Sequence, residues 1–125
     1  MVEHEYGIFG GPDGTCLLAL LAGLDIPYMM TCHTVLPHPS AGQRKVLAKA
    51  CQGAAGVVAM SKLSKRLLGE VYGVENEKIH VIHHGVPDYI LRVREEVKAE
   101  EGLGGNFVVS TFGLLSPGKG LEHGI

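Results

Sequence analysis

Residues 56–73, GVVAMSKLSKRLLGEVYG, decide the fold. The stretch begins with a short apolar run (56–60) that is typical of a strand buried within a sheet. Ser61 follows at the position of a helix N-cap, and apolar residues then recur at helical spacing until Gly73 ends the pattern. A buried strand that leads directly into an amphipathic helix is the repeating unit of a parallel α/β sheet.

The same alternation continues towards the N-terminus. An apolar segment (26–32) predicts a strand that tolerates Pro27 near its start. Ser40 and Gln43 have the spacing of a capping box, which predicts a helix that runs to about Cys51. The pattern before residue 26 adds a strand end at 2–5 and an apolar, buried helix that Asp13 caps and that ends near Ala22.

Towards the C-terminus the segment 79–83 predicts another strand, and the charged segment 88–102 is weakly helical. A last apolar run predicts a strand over 107–112. Strands separated by helices in this way predict an α/β fold, with a Rossmann-like parallel sheet and helices on both faces.

Composition narrows the possible functions. The chain has 125 residues, enough for one modest domain, and its 46% hydrophobic content is sufficient for a core. A formal net charge of −2 gives no electrostatic reason to expect nucleic acid as the main partner. No apolar run is long enough to span a membrane, and the N-terminus is too polar for a signal peptide, so we expect a cytoplasmic location. Three widely spaced cysteines, expected to be reduced and buried, agree with this.

Polar and glycine-rich segments follow each predicted strand. In a parallel sheet these segments meet at one edge, where ligands bind. They are HEYGIFGG (4–11), HTVLPHP (33–39), Ser61, HHGVPD (83–88) and GLLSPGKG (113–120). The sequence therefore predicts a polar ligand site at the carboxyl edge of the sheet.

The segments HEYGIFGG, TCHTVLPHPSAGQRKVL, VVAMSKLSKRLLGEVYGV, KIHVIHHGVPD and TFGLLSPGKGLE, in this order, resemble the retaining GT-B glycosyltransferases of the group 1 or family 4 type. The resemblance covers essentially the whole chain and implies a partial GT-B domain. Residues 1–87 look like the C-terminal part of the acceptor-side domain, 88–105 like the crossover, and 106–125 like the first strand and phosphate loop of the donor domain. Other family motifs are missing, so we expect a fragment that is inactive alone.

The resemblance implies a donor-diphosphate site in the last of these segments. Lys119 would neutralise the phosphates together with backbone N–H groups of the surrounding glycines. These glycines are Gly113, Gly118 and Gly120. Leu114 stands where the family often has an arginine, which removes half of the expected cationic clamp. Without the resemblance, Lys119 reads equally well as a solvated lysine in a turn.

The resemblance also implies a catalytic role for His33, in the cleft beside the donor sugar. It places His4, Glu5, Gly10 and Gly11 on the acceptor side or in the lining of the cleft. An imidazole can donate to sugar hydroxyls or stabilise the charge of the departing phosphate. The plainer interpretation is that His33 bonds a loop carbonyl at the end of its strand.

The resemblance implies a nucleotide-diphosphate sugar as donor substrate and an acceptor glycan, lipid or small molecule, with no metal or other cofactor. The histidines give little support to a metal site, because His33 and His38 lack helical register. His83 and His84 are adjacent on a predicted strand, so they point to opposite faces and cannot both reach one ligand. The sequence leaves the sugar, the base and the acceptor open.

A function of a different class fits the same residues. The chain is then a non-catalytic α/β module for binding or assembly, which uses the sheet as a scaffold only. In either case an exposed sheet edge presents unpaired backbone groups, from which we expect homo-oligomer formation.

Overall fold

The computed structural model describes residues 1–113, 120 and 123. Its centre is a four-stranded parallel sheet whose strands lie side by side in chain order. The strands are β1 (Val2–His4), β2 (Met29–Cys32), β3 (Gly56–Ala59) and β4 (Ile79–Val81). The predicted α/β fold with a parallel sheet is thereby confirmed.

Helices connect these strands, because parallel neighbours require a crossover. The helices are α1 (Cys16–Ala22), α2 (Ala41–Gly53), α3 (Lys62–Glu70) and α4 (Arg94–Glu100), with short 3-10 turns at Pro12–Gly14 and Asn76–Lys78. Three of them, α1 to α3, each link one strand to its neighbour, and α4 follows the sheet.

One face of the sheet packs against the helices to form the core. The register aligns His4 with Cys32 and Cys32 with Ala59, so their side chains share that face. The largest fully buried side chains of the core come from α1, α2, α3, β2 and β4 and are Leu17, Met30, Leu47, Leu68 and Ile79. On the other face, the alternate residues Glu3 and His80 of the two outer strands are exposed.

The predicted starts of two helices are confirmed. The Gln43 N–H donates to the Ser40 hydroxyl (3.0 Å), and the Ser40 N–H donates back to the Gln43 side chain (2.8 Å), which completes the capping box of α2. The Ser61 hydroxyl accepts from the Ser64 N–H at 3.0 Å and caps α3. Beyond α3, Gly73 adopts a φ of 68°, which turns the chain out of the helix.

The prediction for α1 was wrong in two respects. Asp13 is no N-cap: it lies in the 3-10 turn with a φ of 55°, whereas an N-cap needs an extended backbone. Its carboxylate instead accepts a hydrogen bond from the Ser40 hydroxyl at 3.2 Å. The helix is also buried on one side only, since Leu17 and Leu21 are buried while Leu20 is 53% exposed.

Residues 107–112 form no strand, which corrects the prediction made from their apolar sequence. A strand is stabilised by hydrogen bonds to a neighbouring strand, and β-forming residues alone do not supply them. Phe107 and Phe112 are accordingly exposed. The charged segment 88–102 is helical only over α4. Strand β2 starts three residues later than predicted, after Pro27.

Contacts between backbone positions divide the chain into two compact units, Met1–Val86 and Pro87–Ile125. The first unit contains the whole sheet with α1 to α3, and the second contains α4. The identification of 1–87, 88–105 and 106–125 with successive parts of a two-domain enzyme stays a prediction.

The three cysteines differ in their surroundings. Cys32 on β2 and Cys51 on α2 are fully buried, as expected for structural thiols. Cys16, at the first position of α1, is exposed, because α1 turns only one side towards the core. All three are free thiols.

Candidate functional site

The carboxyl ends of the strands carry a row of polar side chains. Glu5 follows β1, His33 and Thr34 follow β2, Ser61 follows β3 after one residue, and His84 lies three residues beyond β4. The parallel arrangement brings these segments to the same edge of the sheet. The predicted position of a ligand site therefore coincides with a real concentration of polar groups.

His33 is held by a carboxylate of the adjacent strand. Its Nε2 lies 2.8 Å from Oε2 of Glu3, and the two side chains are 31% and 55% exposed. The other oxygen of Glu3, Oε1, accepts from the hydroxyl of Thr31 at 3.2 Å. Glu3 and Thr31 are directly opposite in the register of β1 and β2, so all three side chains lie on one face of the sheet.

Glu5 connects the segments that follow β1 and β2. One of its oxygens accepts from the Thr34 hydroxyl (2.9 Å), and the other accepts from the Tyr6 N–H (3.0 Å). The Glu5–Thr34 and Glu3–His33 contacts are thus two side-chain connections between the ends of β1 and β2. Glu5 is half-buried, so its carboxylate remains within reach of a bound molecule.

His4 points to the other face of the sheet and is buried. Its ring contacts Tyr6 edge-on (centroids 4.9 Å apart) and stacks with Phe9 (6.3 Å). Burial lowers the pKa of His4, and the charge of Glu5 opposes this only in part. The Nδ1 atom is buried and has no hydrogen-bond partner among the residues that the structure describes. His4 and His33 therefore do not converge on one space.

Two tyrosine hydroxyls connect the segment after β1 to the segment after β2. The hydroxyl of Tyr72 donates to the carbonyl of Leu36 (2.9 Å), and the hydroxyls of Tyr6 and Tyr72 are 3.2 Å apart. Since Tyr72 uses its proton on Leu36, Tyr6 donates to Tyr72. Burial, reinforced by the Tyr72 contact, raises the pKa of Tyr6, so this phenol stays neutral and structural.

The strand predicted over 79–83 ends at Val81, so His83 and His84 lie beyond it and the prediction that they are adjacent on a strand was wrong. The His83 ring donates from Nδ1 to the carbonyl of Met60 (3.1 Å). The His84 ring lies beside that of His33, with the centroids 5.7 Å apart and the planes tilted by 48°. Of the two, only His84 is adjacent to the Glu3–His33 pair.

Gly10 and Gly11 lie in the exposed loop before α1, both with a φ of 70°. Asp13 anchors this loop at the N-terminus of α2, because its carboxylate meets Ser40 and occupies the space where a Cβ at Gly42 would lie. The contact with α2 thus holds the end of the segment that follows β1. A role for Gly10 and Gly11 in lining a cleft stays a prediction.

The predicted donor-diphosphate residues are only partly described. Gly113 and Gly120 have φ angles of 133° and 64°, conformations that favour glycine. Lys119 and Gly118 lie outside the described residues. Their assignment to a diphosphate site stays a prediction.

Over residues 1–113, 120 and 123, no group of three or more potential ligands is arranged to hold a metal ion. In the same part of the chain, no helix has the length and apolar character that crossing a membrane requires.

Sequence reasoning missed Glu3, Thr31 and Thr34. The signal was present, because Glu3 in β1 and Glu5 just after it are two residues apart, as are Thr31 in β2 and His33 just after it. Residues two apart on a strand share a face, so the pattern E-x-E beside T-x-H predicts carboxylates next to a hydroxyl and an imidazole. Only the register of β1 against β2 was needed in addition, and sequence does not supply it.

The family model described as Glycosyltransferase Family 4 matches residues 8–88, which include β2 to β4, His33, Ser61 and both histidines after β4. No curated protein and no solved structure matched the chain.

Proposed function

Because this chain belongs to glycosyltransferase family 4, we propose that it forms one wall of an active site that transfers a sugar from a nucleotide-diphosphate sugar to an acceptor hydroxyl, with retention of configuration. Glycosyl transfer is the activity of the family. The donor type, the retention and the residue roles below are our proposal, and we place the reaction in the cytoplasm.

One observation carries the proposal: the family match covers β2 to β4, and His33, which follows β2, is held at the carboxyl edge of the sheet by Glu3. Open parallel sheets bind ligands at this edge. His33 is partly exposed there and lies beside His84 and the Glu5–Thr34 pair. The arrangement supplies an imidazole, a carboxylate and hydroxyls, which are groups suited to bind sugar hydroxyls.

We assign each predicted residue a role in this reaction. His33 contacts the donor sugar, where a ring nitrogen binds a hydroxyl and lies beside the positive charge that develops on the sugar as the bond to the phosphate breaks. Lys119 binds the diphosphate together with the backbone N–H groups of Gly113, Gly118 and Gly120. These groups neutralise the leaving diphosphate, so no metal ion is required. The acceptor side of the cleft consists of Glu5, Gly10 and Gly11, with His4 beneath them.

A titration of the 125-residue chain with UDP-glucose, followed by amide chemical shifts, tests the proposal. We expect shifts at 33–34 and 83–84 and, separately, at 113–120. UDP alone should shift only 113–120, which separates the contacts of the sugar from those of the diphosphate. A chain that is a non-catalytic assembly module would show no shifts in either segment at millimolar ligand, and this result would overturn the proposal.

A further inference from the structure

We propose that Glu3 is a positioning residue for His33: it engages Nε2 of the imidazole and leaves Nδ1 as the atom that faces the sugar substrate. The inference rests on the proposed function, because it specifies how His33 meets the sugar. Glu3 itself touches no substrate in this scheme and acts only through the ring that it holds.

The first step concerns the proton on the ring. An ionised carboxylate has no proton to donate and can only accept hydrogen bonds. Nε2 of His33, 2.8 Å away, must therefore be the donor. This holds for the neutral ring and for the charged ring alike. The hydrogen bond of one ring nitrogen sets the protonation of the other, so the neutral ring of His33 carries its proton on Nε2 and a lone pair on Nδ1.

The second step concerns the rigidity of the carboxylate. Glu3 is a flexible, half-exposed side chain, and a single contact would leave it mobile. The Thr31 hydroxyl, which is 5% exposed, fixes the second oxygen of Glu3. The sulfur of Met1 lies 3.4 Å from the same hydroxyl, but a charged carboxylate is the stronger acceptor. Thr31, Glu3 and His33 thus form a chain in which each member is oriented by the previous one.

The third step concerns the free nitrogen. Within the described residues no hydrogen bond involves Nδ1 of His33, and the side chain is 31% exposed. The neighbouring ring of His84 limits the space beside it. A neutral Nδ1 accepts a hydrogen bond from a sugar hydroxyl, whereas a ring free to rotate would present either nitrogen and lose this selectivity.

The test uses the 125-residue chain at about pH 8, where a free imidazole is mostly neutral. Ring ¹⁵N shifts give the share of each tautomer, and ¹³C relaxation at Cε1 gives the mobility of the ring. We compare Glu3→Ala with Glu3→Gln, which keeps an acceptor oxygen, and with Thr31→Val, which frees the carboxylate. Glu70→Ala is the matched control, because Glu70 pairs with Arg66 on α3 and touches neither β1 nor β2.

We expect a rigid ring with Nε2–H dominant in the unmodified chain, in Glu3→Gln and in Glu70→Ala. In Glu3→Ala the tautomers should mix, and the ring order parameter should fall from ~0.85 to below ~0.6. Thr31→Val should give an intermediate loss. Ring shifts and order parameters that are the same in Glu3→Ala as in the unmodified chain would overturn the inference, as would a dominant Nδ1–H tautomer in the unmodified chain.

A second arm adds millimolar UDP-glucose and follows the His33 ring nitrogens. Nδ1 should shift in the unmodified chain and in Glu3→Gln, and at least several-fold less in Glu3→Ala. Amide shifts at 33–34 without a shift of Nδ1, or equal Nδ1 shifts in all variants, would overturn the inference and leave the proposed function standing. The absence of UDP-glucose shifts throughout the chain would overturn both.

Discussion

The sulfur atoms of Cys32 and Cys51 lie 3.7 Å apart in the core and join the end of β2 to the last turns of α2. The contact with Cys32, together with burial, raises the pKa of the Cys51 thiol. A thiolate is the reactive form of cysteine, so Cys51 should be inert in the folded chain. Cys32 is fully buried, which keeps reagents away from its sulfur.

We therefore predict that a thiol reagent labels only Cys16 in the native chain. Mass spectrometry should find one label under native conditions and three in guanidinium chloride. The Cys16→Ser variant should take up no label until it is unfolded. Labelling of Cys32 or Cys51 at a rate similar to that of Cys16 would contradict the buried pair.

The buried imidazole of His4 should make stability depend on pH. Its pKa is lowered in the folded state, so below about pH 6.5 the unfolded chain binds a proton that the folded chain does not. The free energy of unfolding should therefore be highest at neutral pH and above, and should fall as the pH decreases from about 6.5 towards the lowered folded value. Urea denaturation at a series of pH values measures this slope.

The His4→Phe variant, which keeps an aromatic ring beside Tyr6 and Phe9, should lose this part of the slope. His80→Gln is the matched control, because His80 is exposed on β4. Equal pH slopes in His4→Phe and the unmodified chain would show that His4 binds its proton equally well in both states.

The reciprocal cap of α2 should have a measurable energy. Ser40→Ala should lower the free energy of unfolding by ~1 kcal/mol, because the N–H of Gln43 loses its acceptor. Gln43→Ala should cost less, and the double variant should cost less than the sum, since the two hydrogen bonds share one cap. Strict additivity in urea denaturation would argue against the cap, and exposed Lys45→Ala serves as the helix control.

Donor-diphosphate binding should be weak in this chain. Lys119 supplies one positive charge, and Leu114 stands where a second would be expected. We therefore predict a Kd for UDP in the millimolar range, which corresponds to a binding free energy of about −4 kcal/mol. Added salt should weaken binding further. Lys119→Ala should abolish it, and His33→Ala should leave it unchanged, since UDP carries no sugar beyond its ribose. UDP-induced amide shifts at 4–11 and 31–38 without shifts at 113–120 would show that the diphosphate site was assigned to the wrong segment.

The exposed edge of β4 should promote self-association. β1 and β4 are the outer strands of the sheet, and Ile82, just beyond β4, is 56% exposed. Unpaired backbone groups beside an apolar side chain favour pairing with a second chain. Light scattering should show a mass that increases with concentration, and Ile82→Lys should reduce this increase. Leu63→Lys on α3, which removes an equally exposed leucine from a helix, should not.

Sequence predicted those features that are decided locally. The capping box of Ser40 and Gln43 and the cap at Ser61 depend on residues three positions apart, and both were found as expected. The strand predicted at 107–112 depends on a neighbouring strand, and apolar composition carries no information about whether one is available.

The candidate site likewise has features that the sequence predicts and features that depend on how the strands pair. The carboxyl edge followed from alternation of strands and helices, which sequence shows directly. The separation of His4 from His33 follows instead from the register of β1 against β2, where a shift by one residue would exchange buried and exposed side chains. Asp13 was misplaced because the glycines around it allow a left-handed turn that no helix-capping rule anticipates.

The order of the strands has a consequence for how the chain is made. Each of β2, β3 and β4 pairs with the strand that precedes it in the sequence. During synthesis, each of β2, β3 and β4 therefore finds its partner strand already present. The sheet can grow unit by unit in the direction of translation, with His33 meeting Glu3 as soon as β2 is added and long before residues 113–120 leave the ribosome.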